Sequence, residues 1–424
     1  MINNMGTIQN RIQIDWDFRG EDTRVLTHCF HDYPARMIPQ IASKLIELFG
    51  SSAKKLFDPY CGTGTSLVEA QLRGIDAMGT DLNPLACLIA KVKTKPISQQ
   101  ILDLYLKDFS DFIYKARFDE EPSVLSIPNF PNINFWFQSE VIRRLAYLKK
   151  YIWQIDKEDI RDFFKVAFSE TVRESSLTRN SEFKLFRMTE KQIGSFNPDV
   201  YTIIEKKLSR NRRGMLAYLS ALKNSPHKAS ISIYDFNTVE GIPKKFNKFN
   251  FDLVITSPPY GDSRTTVAYG QYSRLSSQWM DFSEANNVDK KLMGGQTNSH
   301  IQKFGCKTLD NAIKKISEID QKRALEITSF YIDLEKSIRN VSTLLRHGGY
   351  VCYVVGNRRV KGTTLPTNQA IVAFFESNNF AHVDTFLRSI PNKRMPAKNS
   401  PTNEPGKLDS TMLNEYIVVM RKLK

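Results

Sequence analysis

The pentapeptide Thr256-Ser257-Pro258-Pro259-Tyr260 places a hydroxyl, two prolines and an aromatic ring directly after an apolar run. Neither proline can donate a backbone N–H, and each holds φ at about −65°, so the loop must be stiff. Open α/β sheets bind ligands at the carboxyl ends of such strands. The loop could accept the hydrogens of a ring amine and stack that ring on Tyr260. A proline-stiffened turn after a core strand is an equally good interpretation of these five residues alone.

A glycine-rich turn is a second candidate for ligand binding. It reads Asp58-Pro59-Tyr60-Cys61-Gly62-Thr63-Gly64-Thr65 and lies between a predicted strand and a predicted helix. Gly62 and Gly64 allow the backbone to approach a ligand closely, and the helix start offers free N–H groups. The turn lacks the Gly-Lys-Ser/Thr ending of a phosphate-binding loop.

Two acidic residues end the neighbouring strands. Asp81 is placed to accept hydrogen bonds from both hydroxyls of a ribose, although capping the helix that begins at Pro84 is an alternative role. Asp235 ends a third strand in the same way and could accept a hydrogen bond from an adenine amino group. Together with the glycine-rich turn, these acids favour nucleoside binding.

Alternating strands and helices must position these residues. The apolar spacing predicts strands at 55–57, 75–80, 231–234, 251–255, 350–355, 380–387 and 415–420, with helices at about 36–49, 67–70, 84–92 and 327–345. Arg346-His347-Gly348-Gly349 is predicted to end the last helix. The final two strands should pair antiparallel. This order predicts an α/β fold with a doubly wound sheet.

Two segments interrupt the alternation. Residues 97–225 are helical in pattern and rich in aromatic and basic residues, so we expect an inserted helical subdomain. Residues 262–325 are polar and rich in Gly, Ser and Asn in the middle, and we expect a mobile insertion there. The predicted organisation is therefore 1–96 as the first half of an α/β core, 97–225 as the insertion, and 226–424 as the second half.

The composition favours a polyanionic partner. The chain has 60 Lys+Arg against 45 Asp+Glu, a formal charge of +15, and neutralised phosphates release counterions on binding; solubility is the plain alternative. The five cysteines form no Cys-x-x-Cys pair, so we expect neither a metal site nor a disulfide framework. The N-terminus has no signal-peptide core and no apolar stretch could cross a bilayer, which predicts a cytosolic protein without membrane association.

Taken in chain order, these motifs resemble those of the S-adenosylmethionine-dependent DNA amino-methyltransferases. The matching segments are Asp58–Thr65, Thr80–Pro84 and Thr256–Tyr260, preceded by His31–Pro39, which is similar to the family's N-terminal cofactor-contacting motif. Serine before Pro-Pro-Tyr is typical of the cytosine-N4 branch. The resemblance covers the core strands, about half of the chain. It implies a Rossmann-like methyltransferase fold with a seven-stranded, mostly parallel sheet whose last strand is antiparallel.

The resemblance also implies residue roles, with S-adenosyl-L-methionine as the cofactor. The implied cofactor-binding residues are Tyr33, Asp58, Tyr60, Gly62, Gly64, Thr65, Asp81, Asn83 and Asp235. The implied catalytic residues are Ser257, Pro258, Pro259 and Tyr260. Ser257 and the Pro258 carbonyl would accept the hydrogens of the target amine, whose lone pair then points at the methyl group, and transfer depends on positioning. The base would leave the duplex to reach this loop. The chain has no Pro-Cys dipeptide, which argues against carbon-5 methylation.

Other segments have less specific interpretations. Gly261–Arg274 could clamp the DNA strand or form a flexible surface loop. Asn357-Arg358-Arg359 is expected to contact phosphate or anchor a loop. Residues 135–213 and the loop Pro391–Met395 are candidates for DNA contact, although a solvated face is the commoner meaning of such charges. The insertion between Asp81 and Asp235 departs from the family's usual motif orders, so the target-recognition region is not located.

The preferred hypothesis is a cytosine-N4 methyltransferase acting on double-stranded DNA, the protective member of a restriction–modification pair with a cognate endonuclease. Adenine-N6 methylation of DNA and guanine-N2 methylation of RNA are the enzymatic alternatives. The other alternative is an inactive, methyltransferase-like nucleic-acid-binding subunit. That subunit would be expected to lose Gly62, Gly64, Asp81 or the Pro-Pro-Tyr loop, all of which are present.

Overall fold

The computed structural model describes residues 14–118, 125–179, 182–246, 249–262, 267–283, 285–390 and 414–424, and the backbone of 398–399 and 409–410. Its strands are β1 (Lys55–Asp58), β2 (Asp76–Thr80), β3 (Ile231–Tyr234), β4 (Phe251–Thr256), β5 (Leu345–Gly356), β6 (Arg359–Val360), β7 (Thr363–Thr364), β8 (Phe380–Ser389), β9 (Lys398–Asn399), β10 (Asp409–Ser410) and β11 (Asn414–Lys422). Its α-helices are α1 (Pro39–Phe49), α2 (Thr65–Leu72), α3 (Pro84–Lys93), α4 (Gln99–Phe118), α5 (Ile133–Trp136), α6 (Ser139–Trp153), α7 (Glu158–Ser175), α8 (Glu190–Ser195), α9 (Val200–Leu222), α10 (Tyr269–Trp279), α11 (Val288–Lys291), α12 (Lys307–Ile319), α13 (Gln321–Ser342) and α14 (Thr367–Glu376). Short 3-10 helices span Leu26–Cys29 and Lys244–Phe246.

Seven strands form one sheet in the order β3-β2-β1-β4-β5-β11-β8. The neighbours from β3 to β5 pair parallel, whereas β11 pairs antiparallel with both β5 and β8. Parallel strands covered on both faces read as nearly continuous apolar runs, and β4 is buried at every position except Asp252. The predicted seven-stranded, mostly parallel sheet with an antiparallel last strand is confirmed, as is the antiparallel pairing of the last two strands.

The sheet brings the predicted site residues to one edge. β1 lies between β2 and β4, so the order reverses beside β1. Ligands bind outside the carboxyl ends of the strands at such a switch point. Asp58, Thr80 and Thr256 end these three strands, and the motifs that follow them therefore start side by side.

Helices α4 to α7 and α9 share an apolar core with α3 and α10. Phe163 and Phe168 of α7 are fully buried, and the Phe168 ring meets the indole of Trp279 edge to face, with centroids 6.3 Å apart. Several cations of this block are held in ion pairs, including Arg210 with Glu170 at 2.6 Å. Charge alone therefore does not mark this block as a DNA-contact surface, and the division of the chain at 97 and 225 stays a prediction.

The structure corrects the predicted end of the long late helix. α13 ends at Ser342, and the segment that was expected to stop it lies in β5, which begins at Leu345. Leu345 pairs with Phe251 of β4. Lys422 of β11 donates hydrogen bonds to the carbonyls of Ser342 and Leu345, at 2.7 and 2.8 Å. The strand begins early because these neighbouring strands hold its first residues, contacts that local sequence does not report.

Of the two interpretations of Gly261–Arg274, the flexible surface loop is wrong from Tyr269 onward, and the clamp on a DNA strand stays a prediction. Residues 269–274 are the first turns of α10, and Ser273 and Ser276 are buried. The Ser276 hydroxyl donates to the carbonyl of Ser169 in α7 at 2.6 Å. Polar side chains made this segment resemble a surface loop, but small hydroxyls can be buried when they bond to backbone carbonyls.

In the part of the chain that the structure describes, no helix combines the length and the apolar character needed to cross a bilayer. The candidate DNA-contact loop Pro391–Met395 lies outside the described residues.

Candidate active site

A cavity opens at the carboxyl edge of β1, β2 and β4. It encloses about 940 Å³ of empty space, its open mouth included. The structure brings nine of the predicted site residues to its wall. These are Tyr33, Asp58, Tyr60, Gly62, Thr65, Asp81, Asn83, Ser257 and Pro259. Gly64, Asp235, Pro258 and Tyr260 are not among the lining residues.

Asp58 ties the ends of two strands to the start of a helix. Its Oδ1 accepts hydrogen bonds from the Thr256 hydroxyl at 2.6 Å and from the Tyr60 amide at 3.1 Å. Its Oδ2 accepts a hydrogen bond from the Ser66 hydroxyl in α2. Burial raises the pKa of the Asp58 carboxyl from 3.8 to about 6, against the opposing effect of these bonds. Asp58 thus anchors the turn, and its contact with a cofactor stays a prediction.

The glycine-rich turn is shaped for close approach. Gly62 has φ of +49°, and a Cβ placed there would meet no protein atom within 4 Å. A side chain at this cavity-lining position would therefore occupy open space that a ligand could fill. Gly64 has φ of +74° and precedes α2, and a Cβ on it would lie 3.0 Å from that of Ala90. The role of Gly64 in this geometry is to let the turn pack on α3.

Asp81 faces the turn from the end of β2. Its carboxylate accepts hydrogen bonds from the amides of Gly62 at 3.0 Å and Asn83 at 2.8 Å. Burial raises its pKa. The alternative role of Asp81 as the cap of α3 is wrong, because the cap is Asn83, whose Oδ1 accepts from the Leu85 amide at 3.1 Å. Asp81 is left at the cavity wall, and its contact with a ribose stays a prediction.

Asn83 also organises an aromatic wall. Its amide donates to the Tyr33 hydroxyl at 2.8 Å and to the Ser273 hydroxyl of α10 at 3.0 Å. The Tyr33 ring stacks on that of Tyr269, with centroids 6.0 Å apart and planes 16° from parallel. The first residue of α10 is therefore part of the cavity wall. Sequence reasoning missed Tyr269, because no local pattern joins it to Tyr33.

The wall beyond β3 is apolar and hydroxyl-bearing rather than acidic. Asp235 is exposed, and Phe236, Asn237, Thr238 and Val239 line the cavity instead. Thr238 shares a hydrogen bond of 2.6 Å with Ser337, which also bonds the Tyr60 hydroxyl. The contact of Asp235 with an adenine stays a prediction, while Phe236 lines the cavity and its ring stacks on that of Phe246, with centroids 5.1 Å apart.

The second insertion supplies a further part of the wall. Leu292 and Met293 line the cavity. The next residue, Gly294, has φ of +68°, and its amide donates to Asp333 of α13 at 2.9 Å. Sequence reasoning missed these residues, because a polar segment has no apolar periodicity that would show which of its residues pack against the cavity.

The Ser-Pro-Pro-Tyr loop meets the cavity through Ser257 and Pro259. The Ser257 hydroxyl donates to the carbonyl of Val354 in β5 at 3.0 Å and lies 3.4 Å from the Tyr260 hydroxyl oxygen. Because the shorter bond uses the only hydroxyl proton, the Ser257 oxygen keeps lone pairs that can accept hydrogens from a ligand. The Tyr260 hydroxyl donates in turn to Glu415 of β11 at 2.8 Å.

An acid immediately after this loop anchors it. Asp262 is buried, and its Oδ2 accepts hydrogen bonds from both Arg323 and Arg358, each at 2.9 Å. Arg358 follows β5, so the prediction that Asn357-Arg358-Arg359 anchors a loop is confirmed for Arg358. The side-chain amide of Asn357 donates to Oδ1 of Asn368 in α14 at 2.9 Å, and its Oδ1 accepts from the Asn368 backbone amide at 3.2 Å.

Comparison with known proteins identifies the family. A family model described as RMKL-like, methyltransferase domain matches residues 26–110. The type II methyltransferase M.MvaI of Kocuria varians is 40% identical over 421 residues, which cover 95% of this chain and 93% of that protein. The chain belongs to the type II DNA methyltransferases. It is a site-specific DNA methyltransferase of the restriction–modification class, and S-adenosylmethionine is its cofactor.

Other relatives of this methyltransferase match less of it. M.BsoBI of Geobacillus stearothermophilus is 22% identical over 55% of this chain and 49% of its own length. A tRNA (guanine(10)-N2)-dimethyltransferase of Methanothermobacter thermautotrophicus is 40% identical over 52 residues, 12% of this chain and 16% of that protein. Among solved structures, the rRNA methyltransferase aviRa of Streptomyces viridochromogenes aligns with a TM-score of 0.31 and 10% identity, over 92% of this chain and 87% of that chain.

The cavity of the methyltransferase fits its cofactor. S-adenosylmethionine carries a sulfonium and an ammonium, and the carboxyl groups of the buried Asp58 and the half-buried Asp81 line the cavity. Burial raises the pKa of both carboxyls, so a cationic ligand beside them would favour their ionised forms. Arg36 lines the same cavity, and one of its guanidinium nitrogens donates to the His28 carbonyl at 2.9 Å. The backbone of Gly62 leaves room beside these groups.

Proposed function

We propose that this enzyme methylates the N4 amine of cytosine in duplex DNA, as the protective member of a restriction–modification pair. One observation carries the proposal. Ser257 lies on the wall of the cofactor cavity with its proton already donated to Val354, so its oxygen is an acceptor toward the cavity. An acceptor beside a methyl donor suits an amine substrate, whose two hydrogens must be held while its nitrogen reacts.

Under this proposal, positioning does most of the work. A nucleobase amine is a poor nucleophile because its lone pair is delocalised into the ring. Ser257 accepts one amine hydrogen and the Pro258 carbonyl accepts the other, which favours a pyramidal nitrogen with its lone pair toward the methyl group. The cofactor supplies an electrophilic methyl group on sulfur. Holding the two reacting atoms in line removes most of the entropic cost of bringing them together.

The loop's rigidity supports the same role. Pro258 and Pro259 restrict the backbone, and Asp262 fixes the chain through two arginines directly afterwards. A flipped base that stacks on Tyr260 would meet acceptors that do not need to reorganise. Base flipping is the means by which enzymes reach an atom inside a duplex.

The experiment that tests the proposal is methyl transfer from labelled S-adenosylmethionine to duplex DNA, followed by digestion and nucleoside mass spectrometry. The expected product is N4-methylcytosine. 6-Methyladenine as the sole product would overturn the cytosine assignment while leaving amine methylation in place. Tyr260→Ala should abolish transfer and keep the cofactor bound.

Guanine-N2 methylation of RNA is a second candidate because of the 52-residue match to the tRNA (guanine(10)-N2)-dimethyltransferase. That match is short, whereas the relative M.MvaI spans nearly the whole chain. Running the same assay with tRNA separates the two, because N2-methylguanine in tRNA with unmodified DNA would favour the second candidate.

A further inference from the structure

We propose that Glu415 is a positioning residue for Tyr260, and that Arg388 holds its carboxylate in place for that purpose. The inference rests on the proposed function, in which the Tyr260 ring stacks on the target base. Glu415 lies on β11, 155 residues along the chain from Tyr260, and belongs to none of the motifs that the sequence singled out.

Three hydrogen bonds in series carry the proposal. The Tyr260 hydroxyl donates to Oε1 of Glu415 at 2.8 Å. Arg388 of β8 donates to the other oxygen, Oε2, at 2.6 Å. The Nε of the same arginine donates to the Trp16 carbonyl at 3.1 Å.

Burial makes this chain of bonds rigid. The side chains of Arg388 and Glu415 are only 7% and 13% exposed. Charge-assisted hydrogen bonds are shorter and stronger than neutral ones, and a buried ion pair that loses one partner is strongly destabilised. The Glu415 carboxylate is therefore held between the Arg388 guanidinium and the Tyr260 phenol, and this fixes the direction of its Oε1.

Fixing the hydroxyl fixes the ring. The two prolines before Tyr260 restrict the backbone of the loop, so the orientation of the ring depends on its two side-chain torsions. A bond at the far end of the phenol limits both torsions. The same orientation keeps the Tyr260 oxygen 3.4 Å from the Ser257 hydroxyl, which places the stacking ring and the amine acceptor in one fixed arrangement.

Glu415 does not line the cofactor cavity, so the proposal separates turnover from cofactor binding. Glu415→Gln keeps the size of the side chain and removes its charge, while Tyr260→Phe keeps the ring and removes the hydroxyl. We expect each variant to lower kcat about tenfold, a loss of the size that one hydrogen bond typically contributes. The dissociation constant for S-adenosylmethionine should be unchanged.

A double-mutant cycle tests the inference. If Glu415 acts through the Tyr260 hydroxyl, Glu415→Gln should lower kcat no further in the Tyr260→Phe background. Losses that multiply to about a hundredfold in the double variant would overturn the proposal, as would wild-type kcat in folded Glu415→Gln. Arg388→Lys provides an independent arm if Glu415→Gln fails to fold, because lysine cannot bond Glu415 and the Trp16 carbonyl with a planar fork. Its effect on kcat should also vanish in the Tyr260→Phe background.

The matched control is Glu376→Gln, at an exposed position at the end of α14, which should behave as the wild type.

Failure of the proposed function looks different from failure of this inference. A product other than N4-methylcytosine changes the base but leaves the coupling between Glu415 and Tyr260 intact. Full activity of Tyr260→Ala would instead remove the target-stacking role on which both depend.

Discussion

The stability of this enzyme should contain a pH dependence that belongs to the carboxyl group of Asp58. Burial raises its pKa from the ordinary value of 3.8 to about 6 in the folded protein. Between these values the folded state binds a proton that the unfolded state has released, so stability falls as pH rises. The stabilising contribution is fully present below pH 3.8 and is lost above about pH 6.

The magnitude follows from the size of the pKa change. Each pKa unit corresponds to about 1.36 kcal/mol, so a change of about two units is worth on the order of 3 kcal/mol. Roughly half of that falls between pH 5 and 8. Asp58 is only 3% exposed, so solvent does not screen this contribution to the free energy of unfolding.

Asp58→Asn isolates this contribution. Asparagine has the same shape, and its oxygen can still accept from Thr256 and from the Tyr60 amide, but it does not titrate. Urea unfolding of the cofactor-free wild type and variant should be measured from pH 5 to pH 8. Relative to the wild type, the variant should gain about 1.5 kcal/mol of unfolding free energy over that range.

Subtracting the unfolding free energy of the wild type from that of the variant cancels the contributions of the other titrating groups. His28 and His31 are buried and have pKa values lowered to about 4 by burial, and they contribute equally to both proteins. Any constant offset from replacing an oxygen by an amide also cancels from the slope. A difference that does not vary with pH, or one that shrinks as pH rises, would refute the reasoning.

Three further predictions address the site and its support. Asp81→Ala should weaken S-adenosylmethionine binding about tenfold or more in calorimetry, since it removes acceptors from the cavity wall; an unchanged affinity in a folded variant would count against the ribose assignment. Asp262→Ala should lower the free energy of unfolding by about 3–5 kcal/mol, because two largely shielded arginines lose the buried carboxylate that they share. By contrast, Glu47→Ala breaks an exposed ion pair, in which the Glu47 side chain is 62% exposed, and should cost less than about 1 kcal/mol. Gly79→Ala would place a Cβ 2.8 Å from the Cβ of Cys61, so it should cost about 1–3 kcal/mol in denaturant unfolding and weaken cofactor binding, and wild-type behaviour would contradict the tight packing of the turn on β2.

Much of the core was accessible from local patterns. The run that precedes Thr256 reads as a buried strand because four of its five residues, 251–255, are apolar, and β4 has those bounds within a residue. Gly62 and Gly64 were singled out for backbone freedom, and both have positive φ. Such signals are local: they report on backbone torsions and on burial over a few residues.

The cap of α3 shows where local reasoning becomes ambiguous. Asp81 and Asn83 are both good N-cap residues, and only the structure shows that Asn83 caps while Asp81 turns to the Gly62 amide. Likewise Asp235 and Phe236 are adjacent, and the sequence favoured the acid because of its chemistry. The twist of the chain after β3 exposes Asp235 and brings Phe236 to the cavity.

By itself, the sequence determined the α/β alternation, the glycine-rich turn, the acid at the end of β2 and the stiff Ser-Pro-Pro-Tyr loop, because each depends on neighbours within one element. Only the tertiary structure decided that Tyr269 and Met293 complete the cavity wall and that Glu415 holds the Tyr260 hydroxyl. These contacts join residues on separate elements, and their energies come from packing and from buried polar pairs. No periodicity in the chain records which distant side chain will satisfy a buried hydroxyl.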